Sequence, residues 1–268
     1  YKTGRPAYYF FRQAVFAAMG LTAMLVIGRI NYARFRGVAK IALGASIFLL
    51  ILVIIPGVGI TSHNATRWLG IPGTEMQFQP SEIAKLGVIL YFADSISKKK
   101  DRMRTIRYGI VPYGAILGII AVLMYLEPHF SGLVLIVGIG AMMMFVGGIP
   151  GYWVGVGAGG VAAVAYAFLS GLIKYNSSRI SVWLDPLNEE WALGDAFQLR
   201  QGLIAIGSGG LLGLGLGKSR QKFLFLPEPQ NDFIFAIVCE ELGLIGATLI
   251  MALFALLIIR GYWIALHA

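Results

Sequence analysis

Three acids near the C-terminal end stand out in a chain that has few of them: Asp232, Glu240 and Glu241. The 268 residues are 57% hydrophobic and 13% charged. A carboxylate in so apolar a setting carries a desolvation cost that a partner or a function must offset. Pro227 and Pro229 break any helix upstream of Asp232, because proline lacks an N–H and fixes its own φ. Asn231 can cap the helix that starts next. Asp232 therefore falls in a first helical turn, where the positive end of the helix dipole favours an anion. An acid so placed suits a general base or a metal-bound carboxylate. It also suits a plain dipole-stabilised helix end. Glu240 follows a little over two turns later, roughly 12 Å along the axis at about 1.5 Å per residue. Ala236, Cys239 and Gly243 share the face of Asp232 at helical spacing.

A second group of charged residues lies upstream. Glu82 and Lys85 stand at i and i+3 on one helix face, which fits a surface capping pair. Arg67 and Trp68 are adjacent in a polar stretch. Glu127 precedes Pro128. Gln198 to Ile206 reads as a short amphipathic helix carrying Arg200 and Gln201. A glycine run, 207–217, follows it and leads into Lys218, Arg220 and Lys222. Glycines before cations allow close backbone approach to a phosphate. A re-entrant turn explains the same run equally well.

Membrane-spanning helices must position these residues. Long apolar runs, rather than amphipathic stripes, predict an all-α, multi-pass membrane protein. The spans fall at about 8–28, 41–57, 83–96, 108–126, 133–147, 152–172 and 242–259. They form one integral membrane domain over 1–268, with a large loop at 173–231. Loops of that length are usually functional. The net charge is +9, and most of it lies in two short stretches, 29–40 and 98–107. Two spans separate them, so they share a side, which is the cytoplasm by the positive-inside rule. That topology accounts for the basic runs without nucleic acid. The loops at 59–81, 127–132 and 173–231 then face outward. One cysteine, Cys239, excludes an internal disulfide and a Cys-rich metal site. The chain opens on Tyr1 and ends just past an apolar run, so it reads as a piece of a longer protein.

The stretch from Leu226 to Gly243, Leu-Pro-Glu-Pro-Gln-Asn-Asp-Phe-Ile-Phe-Ala-Ile-Val-Cys-Glu-Glu-Leu-Gly, resembles the signature of the SEDS family (RodA, FtsW and SpoVE). Arg67-Trp68-Leu69 is similar to that family's outer-loop Arg-Trp. Phe78 to Lys85 resembles its FQPSE-x-x-K stretch. Glu127-Pro128-His129 stands where the family has Gln/Glu-Pro-Asp, and Gln198 to Gly217 resembles its Gln-rich helix and glycine run. There are two departures. His63-Asn64-Ala65-Thr66 replaces the usual Asn-Gly-Ala, and His129 replaces a frequent Asp. The resemblance spans the whole chain and leans toward FtsW and SpoVE.

The resemblance implies a roughly ten-span fold of which about seven are here, spans two to eight. It implies a peptidoglycan glycosyltransferase polymerising lipid II at the outer face of the bacterial cytoplasmic membrane, in division, elongation or sporulation. It casts Asp232 as the catalytic carboxylate. Arg67, Trp68, Glu82, Lys85, Arg200, Gln201, Lys218 and Arg220 become substrate contacts, and Glu127 and Glu240 supporting acids. A divalent cation, Mg or Mn, suits the pyrophosphate, although no ligand set is legible; no organic cofactor is called for. The implied partners are lipid II, the growing glycan strand, membrane lipid and a class B penicillin-binding protein. Two other readings stand beside it, a lipid II flippase and a non-catalytic scaffold for a transpeptidase. The outward gathering of the polar motifs, with no internal repeat, favours an enzyme over a transporter.

Overall fold

A computed structural model describes residues 8–62, 65–70, 77–153, 155–157, 159–160, 182–188, 194, 196–223, 225–226 and 232–267. The chain divides into two compact units, Tyr1–Gly160 and Val161–Ala268. The span expected at 152–172 lies mostly outside the described residues. So do much of the 173–231 loop, His63, and Pro227 to Asn231.

In the first unit, α1 (Tyr8–Gly28) is apolar and exposed along its length, as a helix surrounded by lipid would be. A 3₁₀ turn, Tyr32–Arg34, leads into α2 (Phe35–Ile54). The outer loop expected at 59–81 is not purely loop. It holds three antiparallel strands, β1 (Gly59–Ser62), β2 (Ala65–Gly70) and β3 (Gln77–Phe78), in that order. The register pairs Ile60 with Trp68 and Leu69 with Phe78. The chain is therefore mostly helical rather than all-α. Next, α3 (Pro80–Lys99) starts inside the expected loop, with proline at its first turn, where a missing N–H costs nothing. Its 20 residues reach about 30 Å, enough to cross a bilayer core. A π-helical turn, Ile106–Ile110, precedes α4 (Val111–Leu126), and α5 (Phe130–Val146) follows.

Small residues let these helices approach closely. A Cβ on Gly87 of α3 would sit 3.1 Å from the Ala42 carbonyl of α2, and one on Gly140 of α5 would sit 2.7 Å from Leu117 of α4. The core between α2, α3, α4 and α5 includes Leu50, Val88, Phe92, Tyr113, Ile120 and Ile136. Phe92 meets Tyr113 edge-on at 4.8 Å, and the Tyr113 hydroxyl pairs with Ser95 Oγ at 2.9 Å. The sheet joins the end of α2 to the start of α3, and Arg67 of β2 bonds to the α4–α5 connection. The sheet, the start of α3 and the Glu127–His129 turn thus share one end. The basic stretches, before α2 and after α3, lie at the other, as the charge pattern requires.

In the second unit, α6 (Phe197–Ser208) covers the amphipathic segment read from the sequence. Then α7 (Ile234–His267) runs well beyond the expected 242–259. It is two helical stretches joined at Gly243, whose φ of 65° and ψ of −166° are not helical. Among the described residues, four helical segments are long and apolar enough to cross a membrane: Phe10–Gly28, Tyr32–Ile54, Ile106–Leu126 and Ile234–His267. Phe130–Val146 is a shorter apolar helix.

Candidate functional site

In the first unit the candidate residues converge where the sheet meets α3, α4 and α5. Arg67 reaches across from β2 and donates through Nη2 to the Pro128 carbonyl, while its Nε is buried without a partner. Pro128 itself has a φ of 25°. Glu127 is only 2% exposed, and its Oε1 has no hydrogen-bond partner. Burial pushes its carboxyl up to about 7, against the opposing pull of the Arg67 cation. His129 is buried, with Gln79 Nε2 3.3 Å from its Nδ1. Burial lowers its pKa; Arg67 and Lys85 push the same way and Glu82 opposes them. Lys85 pairs with Glu82 at 2.6 Å, with the acid exposed and the lysine half-buried. Trp68 is half-buried in β2. A cleft of about 330 Å³ opens between the end of α2, Thr61, Thr66 and Glu127.

The second unit assembles its residues around the break in α7. A helix interrupted at Gly243 leaves carbonyl and N–H groups without in-helix partners, which a membrane interior does not tolerate. The glycine run supplies them. Leu214 N donates to the Glu240 carbonyl (2.9 Å) and Gly215 N to that of Glu241 (3.0 Å). In return, Leu244 N donates to Gly210 O (2.9 Å) and Ile245 N to Leu211 O (3.2 Å). Side chains would block this approach, since a Cβ on Gly213 would lie 2.2 Å from the Glu241 carbonyl. The close backbone contact made by these glycines is thus with α7; the re-entrant reading describes it better than the phosphate cradle does.

The side chains of Glu240 and Glu241 bind the next stretch of the same loop. Glu240 is 1% exposed. It accepts from the Ser219 hydroxyl, from Arg220 N at 2.8 Å and from Gln221 N at 3.4 Å. Glu241 accepts from Gly217 N (2.9 Å), Ser219 N (3.2 Å) and Lys222 Nζ (2.5 Å). Lys222 is therefore engaged, whereas Lys218 and Arg220 are exposed. The role of Glu241 was not foreseen. Its signal is an adjacent pair of acids just before a glycine in an apolar run.

Asp232 sits exposed in the turn just before α7. It is exposed where Ala236, Cys239 and Gly243 are buried, and α7 starts two residues later than the sequence implied. Phe233 beside it packs on α6: a Cβ on Gly202 would lie 2.6 Å from its ring. Gly202 directly follows the half-buried Arg200 and Gln201, so Phe233 ties the entry of α7 to that turn of α6. Among the described residues, no three His, Cys, Asp or Glu side chains converge as a metal site.

The whole chain, residues 1–268, matches the model of the FtsW/RodA/SpoVE family, described as cell cycle proteins. The chain belongs to this family. Stage V sporulation protein E of Bacillus subtilis is 40% identical over 96% of this chain and 69% of its own length. A probable peptidoglycan glycosyltransferase FtsW of Geobacter sulfurreducens is 40% identical over 97% of this chain and 69% of its own length. Among solved structures, one chain of a peptidoglycan synthase complex, described as showing structural coordination of polymerization and crosslinking, matches with a TM-score of 0.73. Its identity is 26%, over 96% of this chain and 70% of that one. The Thermus thermophilus rod shape determining protein RodA matches with a TM-score of 0.65 at 24% identity, over 99% of this chain and 68% of that one; that likeness concerns the fold. This is a multi-pass membrane protein of the bacterial SEDS family.

Proposed function

We propose that this chain is a peptidoglycan glycosyltransferase that polymerises lipid II at the outer face of the cytoplasmic membrane. The observation that carries the reading is its 40% identity, across almost its whole length, to a protein named a probable peptidoglycan glycosyltransferase. In this reaction the oxygen of one sugar hydroxyl bonds to the anomeric carbon of a second sugar. The bond from that carbon to the polyprenyl pyrophosphate breaks, and the pyrophosphate leaves with the electron pair. The hydroxyl proton passes to Asp232, a contribution typically worth about 10²–10⁴-fold in rate. The exposure of Asp232, next to the Phe233 that packs on α6, supports its role as that base. Lys218 and Arg220, with Arg200, meet the leaving charge.

Arg67, Lys85 and Glu82 serve as polar contacts to pyrophosphate or sugar, and Trp68 stacks on a sugar or anchors the sheet at the membrane surface. Glu127 supports Arg67 from its buried position in the first unit, and Glu240 supports the loop of Lys218 and Arg220 in the second. A divalent cation, Mg or Mn, is compatible with an exposed carboxylate such as Asp232, because Mg²⁺ is commonly bound through one or two carboxylates plus substrate phosphates. In its alternative role, as a metal-bound carboxylate rather than the base, Asp232 would hold the ion, which would neutralise pyrophosphate charge. The architecture in this reading is one membrane domain of about seven spans, with 173–231 as a large outer loop. A class B penicillin-binding protein is the crosslinking partner, a reading supported by the likeness to a synthase complex. The test is incubation of the full-length protein with its transpeptidase partner and labelled lipid II in vesicles. Glycan strands support the reading. Transfer of lipid II across the bilayer without strands would make the protein a transporter.

A further inference from the structure

We infer that Glu240 and Glu241 are positioning residues, which hold Lys218 and Arg220 through the 217–222 loop as a preset cation pair for the pyrophosphate of a polyprenyl-linked substrate. The identity of that anion rests on the glycosyltransferase reading; the clamp itself does not.

Neither carboxylate is free to do chemistry. Glu240 is almost wholly buried, and the oxygens of both acids are occupied by loop donors. These donors are the backbone N–H groups of residues 217, 219, 220 and 221, so two adjacent side chains hold four peptides of the segment. Ser219 lies between the two cations and is 1% exposed, its hydroxyl on Glu240 and its N–H on Glu241. Pinning Ser219 inward turns Lys218 and Arg220 outward, where both are exposed. Lys222, the third cation, offsets one of the two negative charges. Upstream, the loop is spliced into the break of α7 by four backbone bonds. The cations therefore stand on a segment bonded to α7 on both sides of its break, and binding an anion requires little reordering of the loop.

The experiment is a double-mutant cycle on the full-length protein in lipid-containing micelles, reading kcat and KM for lipid II. Glu241→Gln and the double variant Lys218→Ala/Arg220→Ala should each raise KM about tenfold, with a smaller change in kcat. The three changes together should be no worse than the cation pair alone, because the clamp acts through those cations. Effects that multiply toward a hundredfold, or a fall in kcat at unchanged KM, would overturn the proposal. Ser219→Ala removes one donor from Glu240 and leaves its backbone donors. It should raise KM about twofold to threefold, and only when Lys218 and Arg220 are present, so it decides the matter if Glu241→Gln does not fold. If the wild type makes no strands, the glycosyltransferase reading fails separately. Binding of undecaprenyl pyrophosphate then tests the clamp: weakening by Glu241→Gln supports it, and unchanged binding overturns it.

Discussion

Replacing Gly243 by alanine should destabilise the protein through both backbone strain and overpacking. Its φ of 65° and ψ of −166° lie in a region essentially closed to residues with a Cβ. Forcing alanine there costs about 1–3 kcal/mol. The new methyl would also sit 2.3 Å from Gly213 N and 2.6 Å from Leu211 O. Both are backbone atoms, which cannot rotate away, and overpacking of this kind costs about 1–3 kcal/mol more. The sum is roughly 2–6 kcal/mol, or about 5–20 °C in Tm for a chain of this size. Thermal unfolding of the detergent-solubilised protein reads it directly. Gly138→Ala in α5 is the control, since nothing lies within 4 Å of its added Cβ; its change should stay within about 1 kcal/mol. Equal Tm values for Gly243→Ala and wild type would refute the account of the break and of the glycine run spliced into it.

Other consequences follow from buried groups. The carboxyl of Glu127 is raised from 4.5 to about 7 in the fold, so its stabilising contribution is complete below pH 4.5 and fades as pH rises through 7. Wild type should therefore lose on the order of 1–3 kcal/mol relative to Glu127→Gln between pH 4.5 and 8, seen as converging or crossing Tm curves; parallel curves would contradict it. His129 is shifted downward and acts in the opposite sense, but it is present in both proteins and cancels in the difference. Phe92 is fully buried against Tyr113, so Phe92→Ala should cost about 3–5 kcal/mol, measured by the same unfolding assay. A shift below about 1 kcal/mol would mean that this core does not hold α3 to α4.

The helices were legible because lipid imposes a coarse rule, namely a run of about 20 apolar residues. Helices α1, α2, α4 and α5 overlap the runs read at 8–28, 41–57, 108–126 and 133–147, with α2 starting six residues earlier. The rule was weaker for α3, where Glu82, Lys85 and Asp94 interrupt the run, and the start at Pro80 had to come from structure. The sheet at 59–78 was illegible because its strands are two to six residues long and carry no clear alternation. The break at Gly243 was hidden for another reason: glycine is common in membrane helices, and only the positive φ distinguishes this one. Among the site residues, pairing of Glu82 with Lys85 could be read from i,i+3 spacing. The Glu240–Glu241 clamp could not, because its partners lie some twenty residues upstream and are mainly backbone N–H groups. Spacing placed Asp232 at a helix entry, but not the turn and bend at 232–233 that precede the first helical residue, Ile234.

The most direct test of the central claim is lipid II polymerisation by the full-length protein with its transpeptidase partner, wild type against Asp232→Asn. Wild type should yield glycan strands. The variant, with an unchanged Tm, should lose at least about a hundredfold in rate. Equal polymerisation by both would contradict the assignment of Asp232 as the base on which this account of catalysis depends.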